Sequence, residues 1–413
     1  MKEKHTALSM EGQARLTFNS QRWDWWPLLP TYPYGIRKTL VRELVADRLW
    51  SFEQLHGIWY VAVPIRMTVI KVTGGLLLYA PITPTPEVCA KLKDLESLHG
   101  PICSIVLPTT SGLEHKLSVP AMARAFPMAT VWISDHQWSF PLRLPSSWLG
   151  FPADRTKILF KDGLPHTIDL EWISLGPLHL GLGTFLEVAC FDRLTGSLIV
   201  TDALVSIPKT PLSVFDLDPL PLLFHAREKG FEPILDTPEM RQKGWLRIVL
   251  FANYLRPQSL QIRPLFDCLR DSFSPGCRQP KLHFGFYPFQ WQPDWQSEAE
   301  ELVATPSALL LVAPVLQRLV FPRAQVLLLA WIRRLANLPG LCRLISAHYD
   351  SPVDCGPQQL EILASRLLQK PSSPSQGSWA TLALIDDLLL KNGIVPAGPQ
   401  DFDGGNAPNS RGA

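Results

Sequence analysis

The sequence predicts a mixed α/β protein in which helices cover a sheet that is at least partly parallel. Two observations lead to this prediction. The chain has 413 residues, of which 46% are hydrophobic and 18% are charged, so it carries enough apolar surface for a large folded core. Its first half also alternates short β-branched or aromatic runs with helical segments in the order β–α–β–α–β. That order is typical of parallel strands joined by covering helices.

The first elements are predicted from local residue chemistry. Strands are expected at "GIWYVAVP", "MTVIKV" and "GLLLYAP" because each run is β-branched or aromatic. Thr73-Gly74-Gly75 joins the last two runs and indicates a hairpin. A helix is expected to begin after Thr85, which would be its N-cap. Pro86 suits the first helical position and Glu87 the acidic first turn. The helix is expected to end near Gly100. A strand at "CSIVLP", a short helix at "VPAMARAF" and a strand at "MATVWIS" complete the alternation.

From about residue 155 the pattern changes to short strands separated by turns. These strands are "RTKILF", "HTIDLEWI", "FLEVACFD" and "GSLIVTD", and "DRLTGS" reads as the hairpin connection between the last two. Two segments with the 3.6-residue period of helices follow, "SALLLVAPVLQRLVF" and "RAQVLLLAWIRRLANL", and then a closing strand, "LCRLISAH". Residues 371–378 have the composition of a linker. Ser378 is expected to cap a last helix, "WATLALIDDLLLKN", which stops at Gly393.

Composition and charge exclude several classes of protein. The formal net charge is +2 and no basic block stands out, so a nucleic-acid partner is not indicated. The longest apolar stretches are interrupted by Gln317, Arg318 and Pro322, so no transmembrane segment is expected. The seven cysteines form no C-x-x-C pair, which favours scattered thiols in a reducing compartment and hence a cytoplasmic protein. Fourteen tryptophans make the chain Trp-rich, most visibly in the lead segment "RWDWWPLLPTYPYG".

The loop "LPTTSGLEHK" at residues 107–116 is the first candidate site. It leaves the predicted strand "PICSIV", which is where a metal site or an acid–base pair would lie. Glu114 and His115 are its chemistry-bearing residues. On the residues alone, such a pair on a loop is usually an ordinary hydrogen-bonded or solvated pair.

This loop resembles the metal-binding element of the metallo-β-lactamase superfamily, whose members carry T-H-x-H-x-D-H after a strand. Thr109 stands at the leading Thr and Glu114-His115 at the closing Asp-His. "LTGSLIVTDAL" resembles the hairpin whose aspartate bridges two metals, here Asp202. "LISAHYD" resembles the late strand that delivers the last histidine, here His348. The resemblance implies the superfamily's four-layer αββα sandwich.

Over nearly its whole length the chain also resembles the domain of unknown function 4336 family, which is common in photosynthetic bacteria and plastids. The segments that carry this resemblance include "WPLLPTYPYG", "VPIRMTV", "WSFPLRLPSSWLGFP", "GWLRIVLFANY" and "YPFQWQPDW". That family brings no established activity. The two resemblances together give a domain plan: a disordered start and lead segment at 1–39, a metallo-β-lactamase-like domain at 40–352, a helix and linker at 353–377, a C-terminal helix at 378–393 and a disordered tail at 394–413.

Departures from the superfamily pattern imply a degenerate metal site. Thr110 and Gly112 stand where the two earlier histidines belong, and Thr184 lies near the place of another. The residues that remain would give two nitrogens and two carboxylates, a set that suits one divalent Zn, Fe or Mn ion. The retained candidates are Glu114, His115, Asp202 and His348, with His225 in "LLFHAREKG" as a weaker replacement nitrogen.

Two functions follow from this reading. The favoured one is a binding or scaffold protein that keeps the fold, lacks two-metal hydrolysis and binds a small molecule or a protein. The alternative is a single-metal-dependent hydrolase or oxidoreductase that uses the retained half-site.

Overall fold

The computed structural model describes residues 20–21, 32–138, 144–181, 183–303, 310–369 and 377–398. Most of the predicted start and lead segment, most of the linker and the tail beyond residue 398 lie outside these residues. Within the described ranges, every helix is too short or too polar to cross a membrane.

Seven strands form the first sheet, and they lie side by side in chain order. The first four are antiparallel, whereas the fourth to seventh run parallel, as the β–α–β–α–β order predicts. The strands are β1 Leu40–Val45, β2 Leu49–Ile58, β3 Val61–Val72, β4 Gly75–Tyr79, β5 Ile102–Leu107, β6 Thr130–Ile133 and β7 Thr156–Ile158.

A second sheet has five strands in the order β14-β13-β10-β9-β8. Its strands are β8 Leu170–His179, β9 Thr184–Asp192, β10 Ser197–Val200, β13 Arg343–Ser346 and β14 Val353–Asp354. The pairing of β10 with β13 is parallel and the other pairings are antiparallel. A separate two-stranded ribbon joins β11 Leu260–Ile262 to β12 Phe289–Trp291.

Helices connect the strands of these sheets. Their bounds are α1 Pro86–His99, α2 Leu113–Lys116, α3 Val119–Ala125, α4 Val214–Leu217, α5 Leu220–Ala226, α6 Pro238–Tyr254, α7 Leu265–Ser272, α8 Trp295–Leu302, α9 Pro314–Leu319, α10 Gln325–Ala336, α11 Pro357–Leu368 and α12 Ala380–Lys391.

The two large sheets pack face to face and each carries helices on its other face. Side chains such as Leu77 and Val106 of the first sheet meet Val188 and Ile199 of the second in one buried cluster. Helices α1 and α3 cover the outer face of the first sheet, and α10 and α11 cover that of the second. This is the predicted four-layer αββα sandwich, which is therefore confirmed.

Local signals place several element ends correctly. The Thr85 hydroxyl accepts a hydrogen bond from the Val88 backbone N–H at 3.3 Å, so it caps α1 as predicted. Gly100 ends that helix with a φ of +96°, a backbone conformation that favours glycine. Thr73 and Gly74 form the expected turn between β3 and β4, and Gly75 begins β4 opposite Val72.

Three predicted elements differ from the structure because tertiary contacts override local pattern. "GIWYVAVP" is not one strand, since Trp59 and Tyr60 adopt φ values of +53° and +60° and form the turn between β2 and β3. The Tyr60 hydroxyl donates to the Lys281 carbonyl at 2.8 Å, and the Trp59 ring stacks on His283 at 4.5 Å. Separately from these three differences, one strand boundary is shifted: "HTIDLEWI" becomes a strand only from Leu170 onward.

The second difference concerns "SALLLVAPVLQRLVF", where α9 begins only at Pro314. Leu311 is extended instead and exchanges two backbone hydrogen bonds with Val205, at 3.0 and 2.9 Å. The third concerns Ser378, which does not cap the last helix because its hydroxyl donates to the Glu298 carboxylate. In both cases a hydrogen bond across the fold takes the place of the local hydrogen bond that the sequence predicts.

The ordered chain also extends beyond Gly393 into residues that the sequence assigns to a disordered tail. Val395 is buried, and the Pro396 carbonyl accepts a hydrogen bond from Arg323 Nε at 2.8 Å. Residues 394–396 therefore pack on the body of the protein.

Candidate metal centre

The candidate loop leaves β5 and is fastened to the second sheet. The Thr110 hydroxyl donates to the Thr184 carbonyl at 2.7 Å and accepts from the Leu186 backbone N–H at 2.9 Å. Thr109 forms a β-bridge with Glu187 of the same strand. Thr110, which stands at a superfamily histidine position, therefore holds the loop onto β9.

His115 lies in the short helix α2 and is fully buried. Its Nδ1 is 3.1 Å from the Pro81 carbonyl oxygen. Because a carbonyl can only accept, Nδ1 carries the proton and Nε2 keeps a lone pair. That Nε2 is buried and has no hydrogen-bond partner among the described residues.

His348 lies just beyond β13 and has the same arrangement on one side of its ring. Its Nδ1 is 3.1 Å from the Pro64 carbonyl oxygen, so Nδ1 again carries a proton. Its Nε2 is 3.0 Å from Asp202 Oδ1 and 3.4 Å from Glu114 Oε1. In this arrangement both ring nitrogens of His348 donate, and the imidazolium lies between two carboxylates.

Asp202 follows β10 and is held by side chains and backbone. The Ser111 hydroxyl donates to Oδ2 at 2.7 Å and the Thr109 hydroxyl to the same oxygen at 3.3 Å. The buried Glu187 carboxylate accepts backbone N–H groups of Thr201, Asp202 and Ala203 at 2.7, 3.0 and 2.9 Å. Glu187 therefore fixes the backbone that presents Asp202, a role that its place inside a hydrophobic strand pattern gave no sign of.

Residues far apart in the chain thus meet at one edge of the two sheets. The ligand-capable atoms of Glu114, His115 and His348 all lie within 4.8 Å of one another, and Asp202 contacts His348 directly. The ring centroids of His115 and His348 are 6.1 Å apart. Four of the five sequence candidates therefore converge.

The fifth candidate, His225, lies elsewhere. It is buried in α5, where its Nε2 is 3.2 Å from the Trp59 carbonyl oxygen and its ring packs on Phe224 and Phe289. The group of potential ligands found among the described residues does not contain it. His225 is a histidine of the aromatic core.

Burial and the two carboxylates set the protonation of the cluster. Burial acts to lower the pKa of His348, but hydrogen bonds and charges of Asp202 and Glu114 outweigh it and raise that pKa to about 10. Burial alone would raise the pKa of Glu114 and of Asp202, yet the His348 imidazolium holds both pKa values below their usual range. Burial lowers the pKa of His115, which is consistent with a neutral ring.

A further histidine, His56 of β2, lies near this cluster. Burial lowers its pKa to about 4, and the nearby Glu114 charge acts in the opposite direction. Its Nδ1 is buried without a partner in the described part of the chain. Neither strand propensity nor the superfamily pattern marks this residue, so the sequence offered no means of finding it.

The cluster opens into a cavity of about 250 Å³. Its polar lining includes Glu114, Asp202 and His348, and its apolar lining includes Val63, Val205 and Leu316. A small molecule in this cavity would therefore meet two carboxylates and an imidazole against a mostly apolar wall.

Comparison with solved structures shows low-identity likenesses. The flavodiiron core of Flv1 from Synechocystis is 11% identical, with 88% of this chain and 72% of that chain covered and a TM-score of 0.42. A metallo-β-lactamase from Pontibacter korlensis is 12% identical, with 81% and 100% covered and a TM-score of 0.37. A variant of a flavo di-iron protein from Thermotoga maritima is 10% identical, with 82% and 64% covered and a TM-score of 0.40. At these values the likenesses say nothing about the chemistry of the site.

Sequence comparison gives a clearer assignment. No curated protein matches the chain. The sequence model of one family, described as Domain of unknown function (DUF4336), matches residues 46–365, well over half of the chain. The protein therefore belongs to the DUF4336 family.

Proposed function

We propose that this protein has lost two-metal chemistry and holds one exchangeable divalent cation between His115, His348 and Glu114, with Asp202 beside them. The observation that carries the proposal is the buried, unpartnered Nε2 lone pair of His115. Leaving a buried polar atom without a partner costs roughly 1–3 kcal/mol. A cation would use this lone pair together with a carboxylate oxygen and a second imidazole within 4.8 Å.

The donor set fits such a cation. Two imidazole nitrogens with carboxylate oxygens suit Zn, Fe or Mn, and two negative charges balance a dication. The carbonyls of Pro81 and Pro64 each hold an Nδ1–H, an arrangement that orients metal-binding histidines in many proteins. Thr110, Gly112 and Thr184 supply no imidazole, which argues against a second metal.

Hydrolysis of a small molecule is the reaction class that this site supports best. A divalent cation would supply Lewis-acid activation of a water or of a substrate oxygen. Asp202, oriented by Ser111 at the cavity wall, is placed to accept a proton. The apolar side chains Val63, Val205 and Leu316 would limit access of bulk water to the reacting group.

A metal-free binding protein is the second candidate, and one specific observation favours it. The His348 imidazolium lies 3.0 Å from Asp202 and 3.4 Å from Glu114, so it already supplies a positive charge between the carboxylates. Without a cation, this ion triad would satisfy the cluster and leave the cavity for a ligand. A cation has to displace the Nε2 proton of His348, so the two candidates exclude each other at one site.

Metal content distinguishes them. Mass spectrometry of the purified protein after exposure to Zn²⁺, Mn²⁺ or Fe²⁺ should find one exchangeable equivalent, and His115→Ala should abolish it. His99→Ala is the matched control, because His99 ends α1 and is not a member of the cluster. Protein that takes up none of the three ions would support the metal-free candidate, and two tightly held equivalents would contradict the loss of the second site.

A further inference from the structure

A second cavity, of about 300 Å³, adjoins the candidate metal centre. Ser111 and Leu316 line both cavities, so they form the partition between them. The Ser111 hydroxyl on this partition donates to Asp202 at 2.7 Å. A molecule that extends past this partition could therefore reach the second cavity with one end and the cluster with the other.

Lys116 is the first unusual feature of the second cavity. It lines the cavity although the residue is only 6% exposed. Its Nζ donates to the carbonyl oxygens of Thr110 at 2.9 Å and Gln137 at 2.6 Å, both neutral acceptors. An ammonium has three N–H donors, so one is left without an acceptor among the residues that the structure describes. The charge of Glu114 acts on Lys116 without a hydrogen bond between them, so no carboxylate contacts the ammonium directly among the described residues. A buried cation whose hydrogen-bond partners are all neutral is stabilised further when an anionic group binds it directly.

Gln137 is the second feature, and it is independent of the first. This residue is also only 6% exposed and lines the same cavity. Its Nε2 donates to Ser134 Oγ at 2.7 Å and to the Thr109 carbonyl at 3.0 Å, which fixes the amide orientation. Its Oε1 is left buried, without a hydrogen-bond partner in the part of the chain that the structure describes.

We infer that the second cavity binds the carboxylate end of a small 2-hydroxy or 2-amino acid. Lys116 supplies the counter-charge and the remaining N–H donor for the carboxylate. Gln137 Oε1 accepts from the neighbouring hydroxyl or ammonium. Trp138 and Phe185 give the cavity an aromatic side that packs against the carbon skeleton. The inference rests on the proposed function for the chemistry at the adjoining cluster, and it adds the substrate class.

Three probes of matched size test the inference by isothermal titration: lactate, its neutral amide lactamide, and propionate, which lacks the hydroxyl. Lactate should bind more tightly than both. Lys116→Met should weaken lactate binding by about tenfold or more, because a charge-assisted hydrogen bond is lost. Lys209→Met, a change at an exposed lysine that does not line the cavity, should leave binding unchanged. Equal affinity for lactate and lactamide, or no measurable lactate binding, would overturn the inference.

Two further variants separate a failure of this inference from a failure of the metal proposal. His115→Ala removes the proposed metal ligand. If this variant still binds lactate, the second cavity binds the carboxylate without the metal, even if the metal proposal fails. Gln137→Leu should abolish the preference for lactate over propionate while keeping the preference for lactate over lactamide. If Lys116→Met does not fold, the Gln137→Leu variant tests the assignment of the second cavity on its own. An unchanged preference for lactate over propionate in Gln137→Leu would contradict the assigned role of Oε1.

Discussion

At the scale of single residues, the site combines side chains that the sequence could identify with others that it could not. His115 and His348 are recognisable because the superfamily resemblance gives each a place after a strand. Lys116 and Glu187 carry no such mark, since a lysine beside a histidine and a glutamate inside a strand read as ordinary solvent-facing residues. Their roles come from burial and from backbone carbonyls and N–H groups, which no residue pattern encodes.

His225 shows how the same residue type can serve the core, and it leads to a pH prediction. Burial lowers its pKa to about 3 from an ordinary value of 6.5. Between these two pH values the unfolded chain binds a proton that the folded chain excludes, so this histidine costs stability as the pH falls below 6.5. From pH 6.5 to 4.5 the loss should be about 2–3 kcal/mol.

His225→Gln tests this prediction in urea unfolding at pH 7.5 and at pH 4.5. At pH 7.5 the variant should be less stable than the parent by about 1 kcal/mol or more, because packing with Phe224 and Phe289 is disturbed. At pH 4.5 the gap should close or reverse. A gap that is the same at both pH values would show that His225 is not buried in its neutral form.

At the scale of elements, prediction succeeded where local chemistry decides and failed where contacts across the fold decide. The cap at Thr85 and the turn at Gly74 depend on neighbouring residues alone. The turn at Trp59 and Tyr60 depends on Lys281 and His283, which lie more than 200 residues away, so an aromatic run could not reveal it.

The contact between α5 and α6 gives a prediction at this scale. A Cβ added at Gly244 of α6 would lie 1.8 Å from the Leu222 carbonyl oxygen of α5. Gly244→Ala gains roughly 1 kcal/mol in helix propensity, but it forces two backbones apart. Overpacking typically costs 1–3 kcal/mol or more, so a net decrease in the free energy of unfolding is expected.

Chemical denaturation measures this effect, with Gly398→Ala as the control. A Cβ at Gly398 meets nothing within 4 Å, so that variant should match the parent. A Gly244→Ala protein as stable as the parent would mean that the two helices are not held this closely.

The C-terminal helix α12 gives a second element-scale prediction. Its Asp386 is buried and pairs with Arg323 at 2.6 Å, its Leu382 is fully buried, and Val395 beyond the helix is buried too. A chain that ends at residue 398 should have the same melting temperature as the full-length protein. A chain that ends at residue 376 should melt several degrees lower, because these contacts are lost. Equal melting temperatures for the two truncated chains would show that the helix contributes nothing to stability.

At the scale of the whole molecule, the candidate centre joins the two sheets. Glu114 and His115 follow β5 of the first sheet, whereas Asp202 and His348 follow β10 and β13 of the second. The resemblance predicted this meeting of strand ends, since in an αββα sandwich the loops at one edge converge. It could not predict which carboxylate His348 would approach more closely, because that depends on side-chain packing.

A cation held at this junction should therefore stabilise the entire sandwich and not only the loop. A ligand that binds only the folded state adds about 2.7 kcal/mol at one hundred times its dissociation constant. Differential scanning fluorimetry with added Zn²⁺ or Mn²⁺ should show a single transition that moves up by a few degrees. His115→Ala should fold but lose this shift, and His99→Ala should keep it. Bound metal that leaves the transition of the parent protein unmoved would mean that the cation binds the unfolded chain as well as the folded one, which contradicts a site built from both sheets.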